Sequence, residues 1–260
     1  MNRHTLLYEF KTYTDSYDSR DTKVALKIEH TYRVADIAEE IARSIPEMHE
    51  NEVDLCWLLG LLHDIGRFEQ LKRYGTFLDS QSIDHADLGV DILFNDGLIN
   101  RFWFGPVTDM DPDEELATIE LAIRQHNKLS LPDSLPNRKR KICDILRDAD
   151  KIDIFRVFFE TPYGLRMTMQ EDDDPSVATQ AVMQCVRERR CVPRNLIRSS
   201  FEAKIARCAM AFELVFPKSR ELVASQGFLK EMLSHEPQSL EQKEQMEELR
   251  ESLGKVLLIN

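Results

Sequence analysis

Leu58-Leu59-Gly60-Leu61-Leu62-His63-Asp64-Ile65-Gly66-Arg67 carries an apolar run straight into an adjacent histidine and aspartate, then a glycine and a cation. A buried polar group is costly unless something satisfies it. A His-Asp doublet at the foot of an apolar helix therefore asks for a partner, and a metal ion uses both side chains. Alternatively the helix ends there and both residues meet water. The doublet alone leaves the two readings level.

Around it the chain reads as helices. Val53 to His63 is apolar almost all round, which predicts the central buried helix, with Gly66 as its stop. Upstream, Val24, Ile28, Tyr32, Ala35, Ile37, Ala38, Ile41, Ala42 and Ile45 recur at helical spacing until Pro46 closes the pattern. A short helix is expected within residues 1–20. Downstream, a loop precedes a helix over Asp84–Phe94, capped by Asp84 or Ser82. The aromatic, turn-rich segment Asn95–Asp113 reads as an ordered loop or lid, with Phe102, Trp103 and Phe104 as core or lid packing in preference to a base-stacking platform. Helices follow over Glu114–His126 and from about Arg138 to Ala149, and residues 154–161 stay apolar.

Beyond Pro162 the text changes. Asp174 and Pro175 suit an N-cap and first helical position. Helices are expected at about 175–190, 200–216 and 219–234, and the charged stretch Glu236–Lys255 reads as a solvated helix. There is no internal repeat, hairpin signal, G-x-G-x-x-G or P-loop. The expectation is an all-α protein, with a helical bundle over 1–161 and a C-terminal helical extension over 162–260 packed on or beside it.

The chain has 34 basic and 46 acidic residues, a net charge of −12. That argues against a nucleic-acid polymer as partner, which needs a basic face. Small anionic substrates stay open, because a local cation or metal can dominate a pocket. Five cysteines without a C-x-x-C pair read as reduced, buried thiols. No signal peptide and no membrane-spanning run is seen, so a cytoplasmic protein without membrane association is expected.

Other residues able to bind metal fall on successive predicted helices, mostly at their ends: His30, His85, His126 and Asp150 beside the His63-Asp64 doublet. Helical bundles bring such facing positions to a common centre. His4, His49 and His235 sit in polar, unpatterned surroundings and read as surface residues. Taken singly, each histidine is more simply a satisfied interface or helix-end residue. Taken as an ordered set, they point to metal.

The ordered pattern, with Glu29-His30-Thr31-Tyr32-Arg33, Leu62-His63-Asp64-Ile65-Gly66-Arg67, His85-Ala86-Asp87-Leu88-Gly89, Ala122-Ile123-Arg124-Gln125-His126 and Arg147-Asp148-Ala149-Asp150-Lys151, resembles the HD superfamily of metal-dependent phosphohydrolases. The resemblance covers roughly residues 24–158. It implies that His30, His63, Asp64 and Asp150 hold one ion. His85 and His126 mark members that bind a second, with Asp64 bridging. Iron or manganese come first, with nickel, cobalt, magnesium or zinc as further candidates. The implied chemistry is attack by a metal-bridging hydroxide on a phosphomonoester or phosphodiester of a nucleotide-like small molecule. Arg67 and Lys151 are placed to clamp phosphate oxygens, though Lys151 also suits a structural pair. The relatives it resembles include dinucleoside polyphosphate hydrolases and nucleotidases of the HD type. Asn127 stands where the cyclic-dinucleotide phosphodiesterase branch has a histidine, and that branch's Gly-Tyr-Pro signature is missing. Two other readings stay open, an HD-fold di-iron oxygenase and a non-catalytic HD regulatory module. Residues 162–260 would cover the site or make a homodimer.

Overall fold

The apolar stripe beginning at Val24 winds into α2 (Thr22–Arg43), capped by the Asp21 side chain on Lys23 N. It packs along α3 (Glu50–Leu62), which is buried from Glu52 to Leu62 apart from Asp54. Leu55, Leu58, Leu59, Leu61 and Leu62 are wholly buried, each contributing about 1.5–3 kcal/mol through burial. The two helices touch closely because Gly60 has no side chain: a Cβ there would lie 2.5 Å from Ala35 Cα. The computed structural model describes residues 1–160, 176–234, 236–237 and 239–257. It shows no strand among them, as expected for an all-α chain.

The sequence assigned Gly66 the task of stopping α3. Instead the chain turns at His63-Asp64 and starts a new helix, α4 (Ile65–Tyr74), with Gly66 inside it. A Cβ on Gly66 would lie 2.2 Å from His85 O and 2.6 Å from Gly89 N. The residue is there to let α4 lie directly on α5 (His85–Val90). Asp84 caps α5 through Ala86 N and Asp87 N. The expected helix to Phe94 is shorter in its α part, because Asp91–Asn95 wind as a π turn. The N-terminal helix α1 (Arg3–Thr14) buries Leu6 and Phe10, and its Tyr13 hydroxyl donates to Ile65 O at 3.1 Å.

The 97–111 loop is ordered by one carboxylate. Glu115, fully buried on α6 (Pro112–Gln125), accepts from Trp103 Nε1, Val107 N, Thr108 N and Thr108 Oγ1 at 2.7–2.8 Å. Phe102 is buried and Phe104 is exposed. The helix expected to end at Ala149 runs on as α7 (Asn137–Glu160), since Ile152 and Phe155 continue its buried face. Buried Arg147 on α7 donates to Gln125 O, Lys128 O and Leu129 O, satisfying orphan carbonyls where α6 ends.

Two compact units divide at Asp150/Lys151, inside α7. Within the second, α8 (Gln180–Arg187), α9 (Ser200–Ala209), α10 (Pro217–Gln226), α11 (Phe228–Ser234) and α12 (Leu240–Leu257) pack together. One helix was expected over 219–234. Gly227, at φ 78°, breaks it into α10 and α11. The charged last helix is solvated on one side only, because Met246, Leu249, Leu253 and Leu257 are buried. The Asp174-Pro175 cap lies outside the described residues. All five cysteines are buried free thiols. Among the described residues no helix is long and apolar enough to cross a membrane.

Candidate metal centre

His63 ends α3 and His126 ends α6, each as the C-cap residue. The last carbonyls of a helix lack intrahelical partners, and each imidazole supplies one. His63 Nδ1 lies 2.7 Å from Gly60 O, and His126 Nδ1 lies 2.6 Å from Ile123 O. A carbonyl only accepts, so both Nδ1 atoms carry a proton, and in the neutral ring the lone pair falls on Nε2. His85 reaches the same state by another route, its Nδ1 lying 2.8 Å from Asp79 Oδ2. Local structure thus fixes Nδ1–H on three rings and aims three Nε2 atoms inward.

They converge on Asp64. Its Oδ2 lies 3.6 Å from His30 Nε2 and 3.5 Å from His63 Nε2. Its Oδ1 lies 3.5 Å from His85 Nε2 and 3.8 Å from His126 Nε2. Asp150 Oδ1 joins the first group, 3.1 Å from His30 Nε2 and 3.6 Å from His63 Nε2. The six residues named from the sequence therefore meet, and they divide between the two oxygens of one carboxylate. His4 and His49 are exposed, as expected, and His235 lies outside the described residues.

The donors fit a metal ion. Among the described residues His63 Nε2 is buried without a hydrogen-bond partner, and the Nε2 atoms of His85 and His126 face each other at 3.0 Å. Two lone pairs repel at that distance unless a cation lies beside both. For bonds of about 2.1 Å, neighbouring ligand atoms on one ion stand about 3.0 Å apart in an octahedron and about 3.4 Å in a tetrahedron. The separations of 3.0–3.6 Å here lie close to those edges, and only Asp64 Oδ1 to His126 Nε2, at 3.8 Å, is longer. With imidazole and carboxylate donors and no thiolate, the set suits first-row divalent ions.

The protonation equilibria agree. Burial would raise the Asp64 pKa, but Lys27, His63 and Arg67 hold it well below the usual carboxylate range. Asp150 is held low against burial by His30 and His63. Burial, with His85 and His63 beside it, pushes His126 down to about 3, which keeps it neutral and able to ligate. For His63, burial is outweighed by Asp64 and Asp150, and its pKa rises to about 10. Two carboxylates facing one ring demand a positive charge there, whether a proton or a divalent ion.

Lys27, Asp79 and Lys128 escaped the sequence reading. Lys27, one turn before His30 on α2, places Nζ 2.6 Å from Asp64 Oδ2 and 5.8 Å from the Phe77 ring centre. Asp79 stands behind His85. Asn127 donates to Asp84 Oδ1 at 2.9 Å, and Lys128 Nζ lies 2.6 Å from Asp84 Oδ2. Asp79, Asp84 and His85 lie close enough to hold an ion, but their atoms already serve the α5 cap and the His85 ring. Helical spacing offered a signal only for Lys27, which shares a face with His30.

Arg67 and Lys151 stand differently. Arg67 Nε lies 3.6 Å from Asp64 Oδ1, while its Nη1 is bound by Phe77 O, Asp79 Oδ1 and Gln70 Oε1 at 2.6–2.9 Å. Lys151 Nζ lies 3.3 Å from Glu213 Oε2 within the second unit.

Comparison with known proteins adds one finding. Residues 28–155 match the model of the HD domain family, spanning every residue of the centre except Lys27. No curated protein and no solved structure matches the chain.

Proposed function

We propose that this chain, whose residues 28–155 match the HD domain family, is a phosphohydrolase with two divalent ions, acting on a phosphomonoester or phosphodiester in a nucleotide-like small molecule. HD domains bind divalent metals and are mostly metal-dependent phosphohydrolases. One observation carries the finer reading, the split of ligands around Asp64. His30, His63, Asp150 and Asp64 Oδ2 would hold one ion, and His85, His126 and Asp64 Oδ1 the other. Bound there, the ions would supply an activated water and Lewis-acid stabilisation of the phosphoryl oxygens.

The chain's own groups do the rest. With a net charge of −12, the protein as a whole repels an anion, so capture falls to local cations. Lys27 and Arg67 flank Asp64, one against each oxygen. Once the carboxylate oxygens are engaged by metal, the Lys27 ammonium is the cation best placed to take a phosphoryl oxygen. Arg67 offers Nε from a guanidinium already locked in orientation. A phosphate role for Lys151 requires it to leave Glu213.

The test is a panel of phosphomonoesters, phosphodiesters and nucleotides incubated with Mn²⁺- or Fe²⁺-loaded protein. Release of phosphate or nucleotide from at least one substrate is expected, with Asp64→Ala abolishing both turnover and metal retention. Turnover that survives Asp64→Ala refutes the mechanism.

A further inference from the structure

Two halves share Asp64, but they are not electrostatically equal. The His30/His63 half has two carboxylate oxygens, one each from Asp150 and Asp64. The His85/His126 half has two neutral imidazoles and a single shared oxygen, with the Arg67 cation 3.6 Å from it. Left so, the second half would hold a dication poorly.

Asp79 changes that balance. It sits on the 3-10 turn Asp79–Gln81, outside the His and Asp residues of the motif pattern. His85 Nδ1 lies 2.8 and 3.0 Å from its two oxygens. Arg67 Nη1 and Gln70 Nε2 both donate to Oδ1 at 2.9 Å. One carboxylate thus fixes the ring of a metal-ligand histidine and absorbs the charge of the neighbouring arginine. A carboxylate behind a ligating imidazole sets its tautomer and raises its basicity, and removing such a partner typically lowers metal affinity 10–100-fold.

We propose that Asp79 is a positioning residue that makes the His85/His126 half able to hold an ion, so that its loss leaves a protein with one tight site. The proposal rests on the two-ion reading above. The test titrates Mn²⁺ and Co²⁺ into metal-free wild type and Asp79→Asn, following heat and, for Co²⁺, visible absorption. Asparagine keeps the size and an acceptor oxygen while removing the charge. Wild type should take up two ions. Asp79→Asn should keep the first affinity and lose the second by about 10–100-fold, retaining one ion after dialysis. A general structural lesion would weaken both ions together, and that result overturns the proposal, as does uptake of two ions with unchanged affinity.

Nitrogen-15 spectra of the imidazoles in metal-free wild type give a second reading that needs no variant. His85 should carry its proton on Nδ1, and a proton on Nε2 overturns the proposal even if Asp79→Asn fails to fold. Wild type that takes up no ion at all refutes the two-ion reading, while the tautomer still decides whether Asp79 holds His85.

Discussion

Gly66→Ala adds one methyl group where two helix backbones touch. The new Cβ would stand 2.2 Å from His85 O and 2.6 Å from Gly89 N, against ordinary contacts beginning near 3.4 Å. Both neighbours are backbone, so no side chain can swing away, and α4 and α5 must separate by about 1 Å. Overpacking of this kind costs about 1–3 kcal/mol. For a unit the size of residues 1–150 that is a fall in Tm of roughly 2–12 °C, at about 2–4 °C per kcal/mol. The displacement also moves His85 away from Asp64 and His126. Metal sites tolerate distance errors of only about 0.2 Å, so the second ion should be lost before the fold is. The assay is a thermal melt of the metal-free protein beside a Mn²⁺ titration. A Gly66→Ala protein with wild-type Tm and two bound ions would refute the close-approach argument.

Glu115→Gln should destabilise the metal-free protein by about 2–3 kcal/mol, because charge-assisted bonds to the 103–108 backbone become neutral or repulsive. Burial would raise the Glu115 pKa, but Thr108, Val107 and Trp103 donate to it and hold it below its usual 4.5. A depressed carboxylate stabilises above the unfolded pKa, so the Tm gap between wild type and variant should shrink as pH falls below about 4.5. Lys27→Met should raise the KM, or the inhibition constant of inorganic phosphate, about 10–100-fold by removing one charged hydrogen bond, with two ions still bound. A KM unchanged by that substitution removes Lys27 from substrate binding. Lys151→Met should lower the Tm by removing the ion pair to Glu213 and leave KM unaltered. A KM change at constant Tm would instead restore its phosphate role. Chelation should lower Tm by an amount that grows with the metal excess, about 2.7 kcal/mol at one hundred times Kd.

The cluster of candidate ligands was legible because helix ends are written in the chain. Apolar runs stop at His63 and His126, and those positions supply the Nδ1 donors that the last carbonyls lack. Partners set by tertiary contact left no such mark. Asp79 lies on a 3-10 turn that read only as loop, and nothing in its spacing to His85 announces a hydrogen bond. Gly66 looked like a helix stop because a glycine after a helix end usually is one. Its task is close approach between helices, which depends on the neighbour rather than on the local sequence. Lys27 sits one turn from His30, yet a lysine at that spacing is more often a solvated face. The helix through Glu160 was missed because the acidic cluster Asp148–Asp153 suggested an end, although Ile152 and Phe155 keep the buried face going.

Metal content bears most directly on the central claim. Protein reconstituted anaerobically with Fe²⁺ or Mn²⁺, freed of loose metal and analysed by mass spectrometry of the elements, should hold two ions per chain. The Asp64→Ala variant should hold none. Wild type with no bound ion under those conditions would contradict the account.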